Sequence, residues 1–356
     1  MKILHVIDSL KAGGAEKLVS EIVPLIKRKG HQVDVFLFNG EETMFTQSLM
    51  DEGIRILSYK DGGHVYNPLI VFKLIKIISN YDVIHTHNTP AQFFVAVANI
   101  LMKKKLITTE HSTSNRRRAK SFMRVLDYWM YSQYEKIIAI SNDTKVNLIN
   151  YIPKTKNKII LIYNGVNLLN FINAMPLETY LNKRKRFVVT MVAGFRYQKD
   201  HETAIKSFQF LNKDEYELWL VGDGELKSQI YNLIEELNLS DNVKIWGNRL
   251  DVPIILKTSD VILQSSHIEG FGLAALEGMA SGKPVVATNI PGLNQIVGGA
   301  GVLFEHCDEQ ALAKEIVRLK NDKEWYKTVS LRCKRRAEDF DIKNMVEGYC
   351  KVYNSL

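Results

Sequence analysis

Cysteine is scarce in this sequence of 356 residues, which contains only Cys307, Cys333 and Cys350. The three are widely spaced and form no C-x-x-C pair. A disulfide-stabilised framework, a cysteine-rich zinc module and a dithiol redox centre are therefore excluded as the basis of the fold. We expect all three thiols to be reduced and to take no part in function.

Long apolar runs are also missing. The longest, residues 93–102 and 137–140, fall well short of the roughly 20 apolar residues needed to cross a bilayer. The N-terminus has one positive side chain, Lys2, and only a few apolar residues before Asp8, which is typical of a strand and not of a signal peptide. We therefore expect a cytoplasmic protein.

The composition is that of a folded globular protein, with 46% hydrophobic and 24% charged residues, and the length suggests two domains of about 150 residues. The net charge of +8 is uneven, because residues 1–170 hold 23 Lys and Arg against 14 Asp and Glu, and the remainder 24 against 25. This excess favours an anionic membrane surface or a phosphate-bearing acceptor, unless it serves solubility alone. The basic runs at 103–105 and 116–118 lack interleaved aromatic residues, so we expect no nucleic-acid partner.

Short apolar runs rich in β-branched residues alternate with amphipathic helical patterns from residue 3 to residue 162, and the alternation resumes at Phe187. This pattern predicts an α/β fold with two doubly wound, Rossmann-like domains, each with a parallel sheet. The periodicity fails over residues 167–185, which indicates a linker between domains at 1–166 and 186–341. Ligands bind such sheets outside the carboxyl ends of the strands, so we expect a site in a cleft that both domains face.

The densest motif is the segment 265–287, with the sequence S-S-H-I-E-G-F-G-L-A-A-L-E-G-M-A-S-G-K-P-V-V-A. Gly270 and Gly272 allow the backbone to approach a ligand, and the first turn of the helix that follows offers N–H groups to an anion. Glu269 precedes that helix and Glu277 lies about two turns into it. The two carboxylates could accept hydrogen bonds from the hydroxyls of one sugar-containing ligand. Alternatively, they are only a helix-start and a surface glutamate.

This segment resembles the second domain of the retaining glycosyltransferases of family 4, which carries a Glu, a Gly-Phe-Gly segment and a second Glu eight positions after the first. The resemblance implies that Glu269 contacts the transferred sugar and that Glu277 binds the nucleotide ribose. It also implies donor contacts from the four residues after Glu269, namely Gly270, Phe271, Gly272 and Leu273.

Other stretches resemble the same family in order along nearly the whole chain. Gly14 lies in a glycine-rich loop after the first strand, where the backbone would approach the donor phosphates or the acceptor. His111 ends a later strand and would face the sugar from the first domain. Asn164 precedes Gly165 at a further landmark and would contact the donor. Each residue also has a purely structural interpretation, as part of a turn, a surface histidine or a strand end.

The head of the second domain resembles the family's diphosphate clamp, which is an Arg followed five residues later by a Lys. Lys199 occupies the Lys position, but Gly194 stands where the Arg is expected, and Arg196 is the candidate for the missing charge. Two cations at this point would stabilise the charge of a departing diphosphate. Gly247 and Leu250 fall where the family lines its nucleobase pocket.

Two further patterns do not indicate a metal site. The D-x-D tripeptide at 339–341 lies away from any predicted strand end. The segment 278–283 is one residue short of a P-loop, and Pro284 replaces the Ser or Thr that would hold magnesium. No G-x-G-x-x-G follows the first strand, which disfavours a nicotinamide cofactor. The resemblance implies that the protein needs neither a metal nor a cofactor. It implies that the substrate is a nucleotide diphosphate sugar.

The resemblance implies the GT-B fold, with a last helix in residues 342–356 that packs back on the first domain. It implies a retaining transferase that moves a sugar from a nucleotide diphosphate sugar, with UDP-sugar favoured, to a glycan acceptor. We expect a lipid-linked acceptor in bacterial surface polysaccharide synthesis, at the inner face of the cell membrane. Two alternatives stay open: a nucleotide-sugar epimerase of the same fold, and an inactive nucleotide-sugar-binding subunit. The missing arginine favours the inactive subunit, whereas the intact Glu269 and Glu277 argue against it.

Overall fold

The computed structural model describes residues 1–11, 13–60, 64–112, 118, 121–182 and 186–356. The chain forms two compact units, one of residues 1–164 with 342–356 and one of residues 165–341. Each unit is a parallel sheet with alternating helices, as the alternation of patterns predicted. Part of the basic run at 116–118 lies outside the described residues. So do the first two residues of the helix that the amphipathic pattern of residues 119–133 predicts.

The sheet of the first unit has seven described strands, which are β1 (Lys2–Ile7), β2 (Gln32–Asn39), β3 (Arg55–Lys60), β4 (Val83–His87), β5 (Lys105–Glu110), β6 (Lys136–Ala139) and β7 (Ile159–Leu161). Their order is β3-β2-β1-β4-β5-β6-β7, and every neighbouring pair is parallel. The winding direction changes between β1 and β4. The loops after these two strands therefore flank the switch point, where doubly wound sheets bind ligands.

The helices between these strands are α1 (Gly14–Arg28), α2 (Met44–Asp51), α3 (Ile70–Ile78), α4 (Thr89–Met102), α5 (Ser121–Ser132) and α6 (Asn142–Tyr151), and a 3-10 helix spans Pro153–Lys158. Successive strand residues point to opposite faces of a sheet. Leu4 and Val6 accordingly belong to one hydrophobic core, and Ile3 and Ile7 to another. Both faces of the sheet are covered, which is why its strands are apolar without alternation.

The sheet of the second unit has six described strands, which are β8 (Phe187–Val192), β9 (Tyr216–Val221), β10 (Val243–Gly247), β11 (Val261–Gln264), β12 (Val285–Thr288) and β13 (Val302–Phe304). They lie in the order β10-β9-β8-β11-β12-β13, again all parallel. The switch point of this sheet falls between β8 and β11. The loops after these two strands carry Lys199 and Glu269 respectively.

The described helices of the second unit are α7 (Leu168–Ile172), α8 (Glu178–Leu181), α9 (His201–Ser207), α10 (Lys227–Glu236), α11 (Val252–Thr258), α12 (Leu273–Ala280), α13 (Leu293–Val297), α14 (Glu309–Asn321) and α15 (Lys323–Glu338), with 3-10 helices at Tyr197–Lys199 and Phe208–Phe210. The segment predicted as a linker contains α7 and α8. Phe171 of α7 is 1% exposed, and α7 contacts α11 and α12, so this segment belongs to the second unit. Residues 183–185 lie outside the described residues.

The last helix, α16 (Ile342–Asn354), is part of the first unit. It contacts α1, and Met345, Tyr349 and Tyr353 join the core that contains Ile3. Gly348 allows this approach, because a Cβ atom there would lie 3.2 Å from the Ile162 side chain. Within the described residues, no helix is long and apolar enough to span a bilayer.

Candidate active site

The loops after β8 and β11 bring two of the predicted site residues into contact. Lys199 ends the 3-10 helix that follows β8, and Glu269 lies in the loop between β11 and α12. Lys199 Nζ lies 2.5 Å from Glu269 Oε2, with side-chain exposures of 27% and 15%. Ser266 Oγ donates to the same oxygen at 3.4 Å. A partly desolvated cation and carboxylate thus meet at the switch point of the sheet.

The conformation of the Glu269 loop depends on glycine. Gly272 caps α12 with φ of +88°, in the left-handed region that favours glycine. A Cβ atom there would lie 2.9 Å from Leu293 Cδ2, and one at Gly292, with φ of +87°, would lie 2.4 Å from the Glu269 carbonyl oxygen. Two glycines therefore let the backbone around Glu269 fold tightly in front of α12.

Phe271 is buried in the second unit, although the resemblance placed it among the donor contacts. The side chain is 2% exposed and packs edge-to-face on Phe340, with ring centroids 5.6 Å apart. Only the backbone of Phe271 can therefore reach a ligand in this conformation, whereas Gly270 and Leu273 on either side are half-buried. Phe340, the middle residue of the D-x-D tripeptide, is thus a packing residue.

Glu277 lies in the second turn of α12, as the sequence predicted, and is 7% exposed. The next residue, Gly278, allows α12 to lie close to β11, because a Cβ atom there would approach Ile262 to 2.8 Å. A nearly buried carboxylate on a helix held tightly against the sheet has a fixed position. Such a group is suited to accept hydrogen bonds from paired hydroxyls.

Arg196 lies beside the position of the missing clamp arginine. A Cβ atom built on Gly194 would lie 3.8 Å from Arg196 Nε and 3.6 Å from the Asp223 carbonyl oxygen, which are ordinary contact distances. Gly194 is not in the left-handed region of the backbone. The exposed side chain of Arg196 therefore lies close to the position that the Cβ atom of a residue other than glycine would occupy at position 194.

The remaining donor-side candidates end β10. Gly247 has φ of +65°, and the register between β10 and β9 shifts next to it. Leu250 is 70% exposed, while the neighbouring Arg249 pairs with Asp251 at 2.6 Å and lies over the Trp246 ring at 5.5 Å. The structure thus presents a backbone bend and an apolar side chain at this strand end, but it does not bring them into contact with Glu269 or Lys199.

In the first unit, the half-buried His111 ends a chain of rings whose other members are buried. His111 Nε2 lies 2.9 Å from His87 Nδ1, and His87 Nε2 lies 2.9 Å from His5 Nδ1. His5 Nε2 then meets the Tyr353 hydroxyl at 3.4 Å, and this hydroxyl lies 2.6 Å from His85 Nδ1. A neutral imidazole donates through one nitrogen and accepts at the other, so the tautomers along this chain are coupled.

Burial keeps these histidines neutral. It lowers the pKa of His111 to about 4 and that of His5 to about 3, and it lowers the pKa values of His85 and His87 well below the usual range. Desolvation of the charged form is the main cause in each case. His111 is therefore a neutral group whose proton position is fixed by the rings behind it, and it can donate or accept only through Nδ1.

Asp8 is a candidate that sequence reasoning missed. It directly follows β1 at the switch point of the first sheet, and its Oδ1 accepts a hydrogen bond from Ala91 N, in the first turn of α4, at 3.2 Å. Burial raises the pKa of Asp8 to about 7, and the nearby carboxylate of Glu16 contributes to the rise. The available signal was its position as the first acidic residue after a buried strand.

Gly14 and Asn164 occupy contrasting positions in the first unit. Gly14 is the exposed first residue of α1, and it follows Gly13 at the helix cap. Asn164 is 2% exposed, and its Oδ1 has no hydrogen-bond partner among the described residues. Gly14 can thus contact a ligand only through its backbone atoms, whereas Asn164 has a buried hydrogen-bond acceptor, its Oδ1.

Three neighbouring helices of the first unit expose both apolar and basic side chains. Helices α3, α4 and α5 pack in sequence on one another. They expose Phe72, Leu101 and Val125 by 67% to 74% of their side chains. Lys76 and Arg124 are exposed on the same helices. These exposed apolar and basic residues of α3, α4 and α5 are named here the α3–α5 surface.

The comparisons with known proteins agree with the sequence pattern. Residues 12–168 match the model of "Glycosyltransferase Family 4", and residues 178–338 match that of "Glycosyl transferases group 1". The UDP-Gal:alpha-D-GlcNAc-diphosphoundecaprenol alpha-1,3-galactosyltransferase of Escherichia coli is 29% identical over 301 residues, which cover 80% of this chain and 77% of that protein. The O-antigen biosynthesis glycosyltransferase WbnH of Escherichia coli is 23% identical over 356 residues, which cover 99% and 97% of the two chains.

Among solved structures, that of Anabaena Alr3699/HepE in complex with UDP and glucose has a TM-score of 0.89 at 22% identity, over 100% of both chains. This likeness shows the GT-B fold, with two Rossmann-like domains. The chain belongs to the group 1, family 4 glycosyltransferases. It is therefore a sugar-transferring enzyme.

Proposed function

We propose that this glycosyltransferase moves a sugar from a UDP-sugar to a glycan acceptor, with retention at the anomeric carbon and without a required metal ion. The observation that carries the proposal is the contact of 2.5 Å between Lys199 Nζ and Glu269 Oε2. A diphosphate would compete with Glu269 for the ammonium group. The released carboxylate could then accept hydrogen bonds from the hydroxyls of the sugar.

The electrostatics suit a departing diphosphate. Lys199 and the guanidinium of Arg196 would stabilise the negative charge that develops as the bond from the sugar C1 to the phosphate oxygen breaks. The acceptor oxygen attacks C1 on the same face, and its proton passes to the departing phosphate oxygen. His111 would orient the sugar through Nδ1, and Glu277 would hold the ribose. No protein nucleophile is needed.

The choice of donor and acceptor rests on the relatives. The solved structure with the same fold holds UDP and glucose, and one Escherichia coli relative is named for a UDP-Gal donor and a diphosphoundecaprenol acceptor. Another is named for O-antigen biosynthesis, and a relative of Klebsiella pneumoniae for its cps region. These names support our proposal that the chain acts in bacterial surface polysaccharide synthesis, with a lipid-linked glycan as acceptor.

A lipid-linked acceptor implies work at a membrane surface, and the α3–α5 surface is suited to it. Exposed aromatic and aliphatic side chains can enter the headgroup region while neighbouring Lys and Arg meet anionic lipids. The excess of positive charge lies in residues 1–170, which include these helices. We propose peripheral association at the cytoplasmic face through this surface.

A panel of UDP-sugars and GDP-sugars, offered to chelator-treated protein, tests the donor and the reaction together. We expect one UDP-sugar to raise the unfolding temperature and to release UDP slowly without an acceptor. Conversion of the donor to an epimer without release of UDP would instead identify an epimerase. Stabilisation without any turnover, even with acceptor, would identify an inactive binding subunit, and binding of GDP-sugars alone would overturn the UDP assignment.

A further inference from the structure

Four side chains with metal-binding atoms converge in the second unit, outside the contacts proposed for the donor. They come from three strand-end loops: Asp200 before α9, His267 after β11, and His306 with Cys307 after β13. One ligand atom from each lies within 4.8 Å of the others. We propose that Asp200, His267, His306 and Cys307 bind a divalent transition metal ion of the zinc class.

Two of the distances among these atoms match those around a tetrahedral ion, and a third is shorter. At tetrahedral angles, a Zn–S bond of about 2.3 Å and a Zn–N bond of about 2.0–2.1 Å place sulfur and nitrogen roughly 3.5 Å apart. Cys307 Sγ lies 3.6 Å from His306 Nε2, and Asp200 Oδ2 lies 3.5 Å from His267 Nδ1. His267 Nδ1 and His306 Nε2 share a hydrogen bond of 2.6 Å, and these atoms would separate to about 3.3 Å around the ion.

Asp200 provides an independent indication of a ligand. The residue is 5% exposed, and its Oδ1 caps α9 by accepting from Thr203 N at 3.1 Å. Its Oδ2 is buried beside His267 and has no hydrogen-bond partner among the described residues. A buried carboxylate oxygen without a donor is costly, and a metal ion would satisfy it.

The chemistry of the donor set selects the metal. Thiolate and imidazole ligands favour zinc and its neighbours over magnesium and calcium, which prefer oxygen. One carboxylate and one thiolate balance the two positive charges of the ion. His306 and Cys307 are exposed, which gives the ion a path from solvent, whereas Asp200 fixes the inner end. Cys307 would thus have a function, contrary to the expectation from cysteine spacing.

The ion would act as a structural tie between loops. His267 N donates to Gln198 O at 2.9 Å, and Ser265 Oγ donates to Asp200 O at 2.6 Å, so these two loops are already joined. The metal ion would tie a third segment to these two loops, namely the turn at Cys307, whose φ is +60°. Lys199 and Glu269 are not among its proposed ligands.

Cobalt binding tests the site directly, because Co²⁺ substitutes for Zn²⁺ and a thiolate ligand gives an intense charge-transfer band in the near ultraviolet. We expect the full-length, chelator-stripped protein to bind one Co²⁺ with this band. Cys307→Ser should remove the band, and Cys350→Ser, which alters the partly buried thiol of α16, should keep it. A wild type without the band, or a band that survives in Cys307→Ser, would overturn the proposal.

Zinc titrations and alkylation give two readouts that need no activity. Cys307→Ser and His306→Asn should each weaken Zn²⁺ binding at least about tenfold, with unchanged circular dichroism. Zn²⁺ should slow the alkylation of Cys307 while leaving Cys350 unaffected. Within the described part of the chain, the buried rings of His5, His85 and His87 form a second cluster that could attract the ion. If zinc binds to those histidines instead, Zn²⁺ would not slow the alkylation of Cys307, and His306→Asn would bind Zn²⁺ as tightly as wild type. This result would refute the assignment.

Discussion

Nδ1 of His87 lies 2.9 Å from Nε2 of His111, so the proton position on His111 depends on a ring that is fully buried behind it. Both rings have pKa values lowered by burial, as do His5 and His85. The unfolded chain binds protons at these histidines below about pH 6.5, whereas the folded chain does so only near pH 4 and below. The buried chain therefore makes the first unit sensitive to acid.

We expect the free energy of unfolding to fall as the pH falls from about 6.5 to 4, by up to about 1.4 kcal/mol per pH unit for each neutral histidine. His87→Asn removes one titrating ring and should reduce this slope. Denaturant titrations at several pH values measure it, and His64→Asn, at an exposed position, is the control. An equal slope in wild type and His87→Asn would contradict the coupling of these rings to folding.

Asp8 predicts a pH dependence of opposite sign. Its pKa is raised to about 7, so the folded chain holds this proton more tightly than the unfolded chain, and stability is lost as the pH rises from about 4 to 7. Asp8→Asn retains the oxygen that accepts from Ala91 N and carries no charge. Relative to wild type, the variant should gain about 2 kcal/mol between pH 4 and pH 8, which is less than the full shift because Asp8 is only partly buried.

The comparison of Asp8→Asn with wild type at each pH cancels the histidine effect. The exposed Asp51→Asn is the matched control and should show no such gain. If both variants track wild type from pH 4 to pH 8, the raised pKa of Asp8 is wrong.

The sequence predicts the sheets well because both faces of each are buried. Apolar runs such as Val261–Gln264 and Val285–Thr288 are fully buried, and no polar alternation obscures them. In contrast, the sequence does not reveal α15, because the buried stripe of this mostly polar helix is only Val329, Cys333 and Ala337. A narrow stripe of small residues gives a weak periodic signal.

The candidate site was predictable where motif and strand end coincide, as for Lys199 and Glu269, whose loops the structure brings together. The ring chain from His111 to His5 was not, because it depends on β4 lying between β1 and β5, and the order of strands is a property of the whole sheet. The burial of Phe271 likewise depends on Phe340, which is distant in sequence.

Glu269→Ala should abolish sugar transfer while the fold survives, because the carboxylate would meet the sugar hydroxyls. We expect a loss of at least about 100-fold in turnover, with the affinity for UDP changed only a few-fold. Glu202→Gln is a matched control, since it breaks another ion pair of 2.5 Å, with Lys206 on α9. Transfer by Glu269→Ala within a few-fold of wild type would show that the site assignment is wrong.

Binding to vesicles that contain anionic lipid should weaken as salt is added, because screening reduces the attraction of the exposed basic residues. The double variant Lys76→Glu with Arg124→Glu should weaken binding at low salt, since each basic residue near the surface contributes about 1 kcal/mol. Lys334→Glu, a similar exposed change in the second unit, should bind like wild type. Salt-independent binding, or no binding at low salt, would exclude the α3–α5 surface as an electrostatic membrane contact.

Arg196 should supply the charge that Gly194 lacks. Arg196→Ala is expected to weaken UDP binding about tenfold or more, because a charge-assisted contact to phosphate is lost. Arg335→Ala, at an exposed arginine of α15 away from the strand-end loops, is the control and should leave UDP binding unchanged. Calorimetric titration with UDP measures both variants.

Gly194→Arg distinguishes replacement of the clamp arginine from a general effect of charge. The backbone at residue 194 tolerates a side chain, since its Cβ would make only ordinary contacts with Asp223 O and Arg196 Nε. The new arginine would begin at the place that the Arg196 guanidinium now passes. In the Arg196→Ala background it should therefore restore UDP binding to within a few-fold of wild type. If Gly194→Lys restores UDP binding to the same level, positive charge alone is sufficient at this position. If neither Gly194→Arg nor Gly194→Lys restores UDP binding, Arg196 does not replace the clamp arginine.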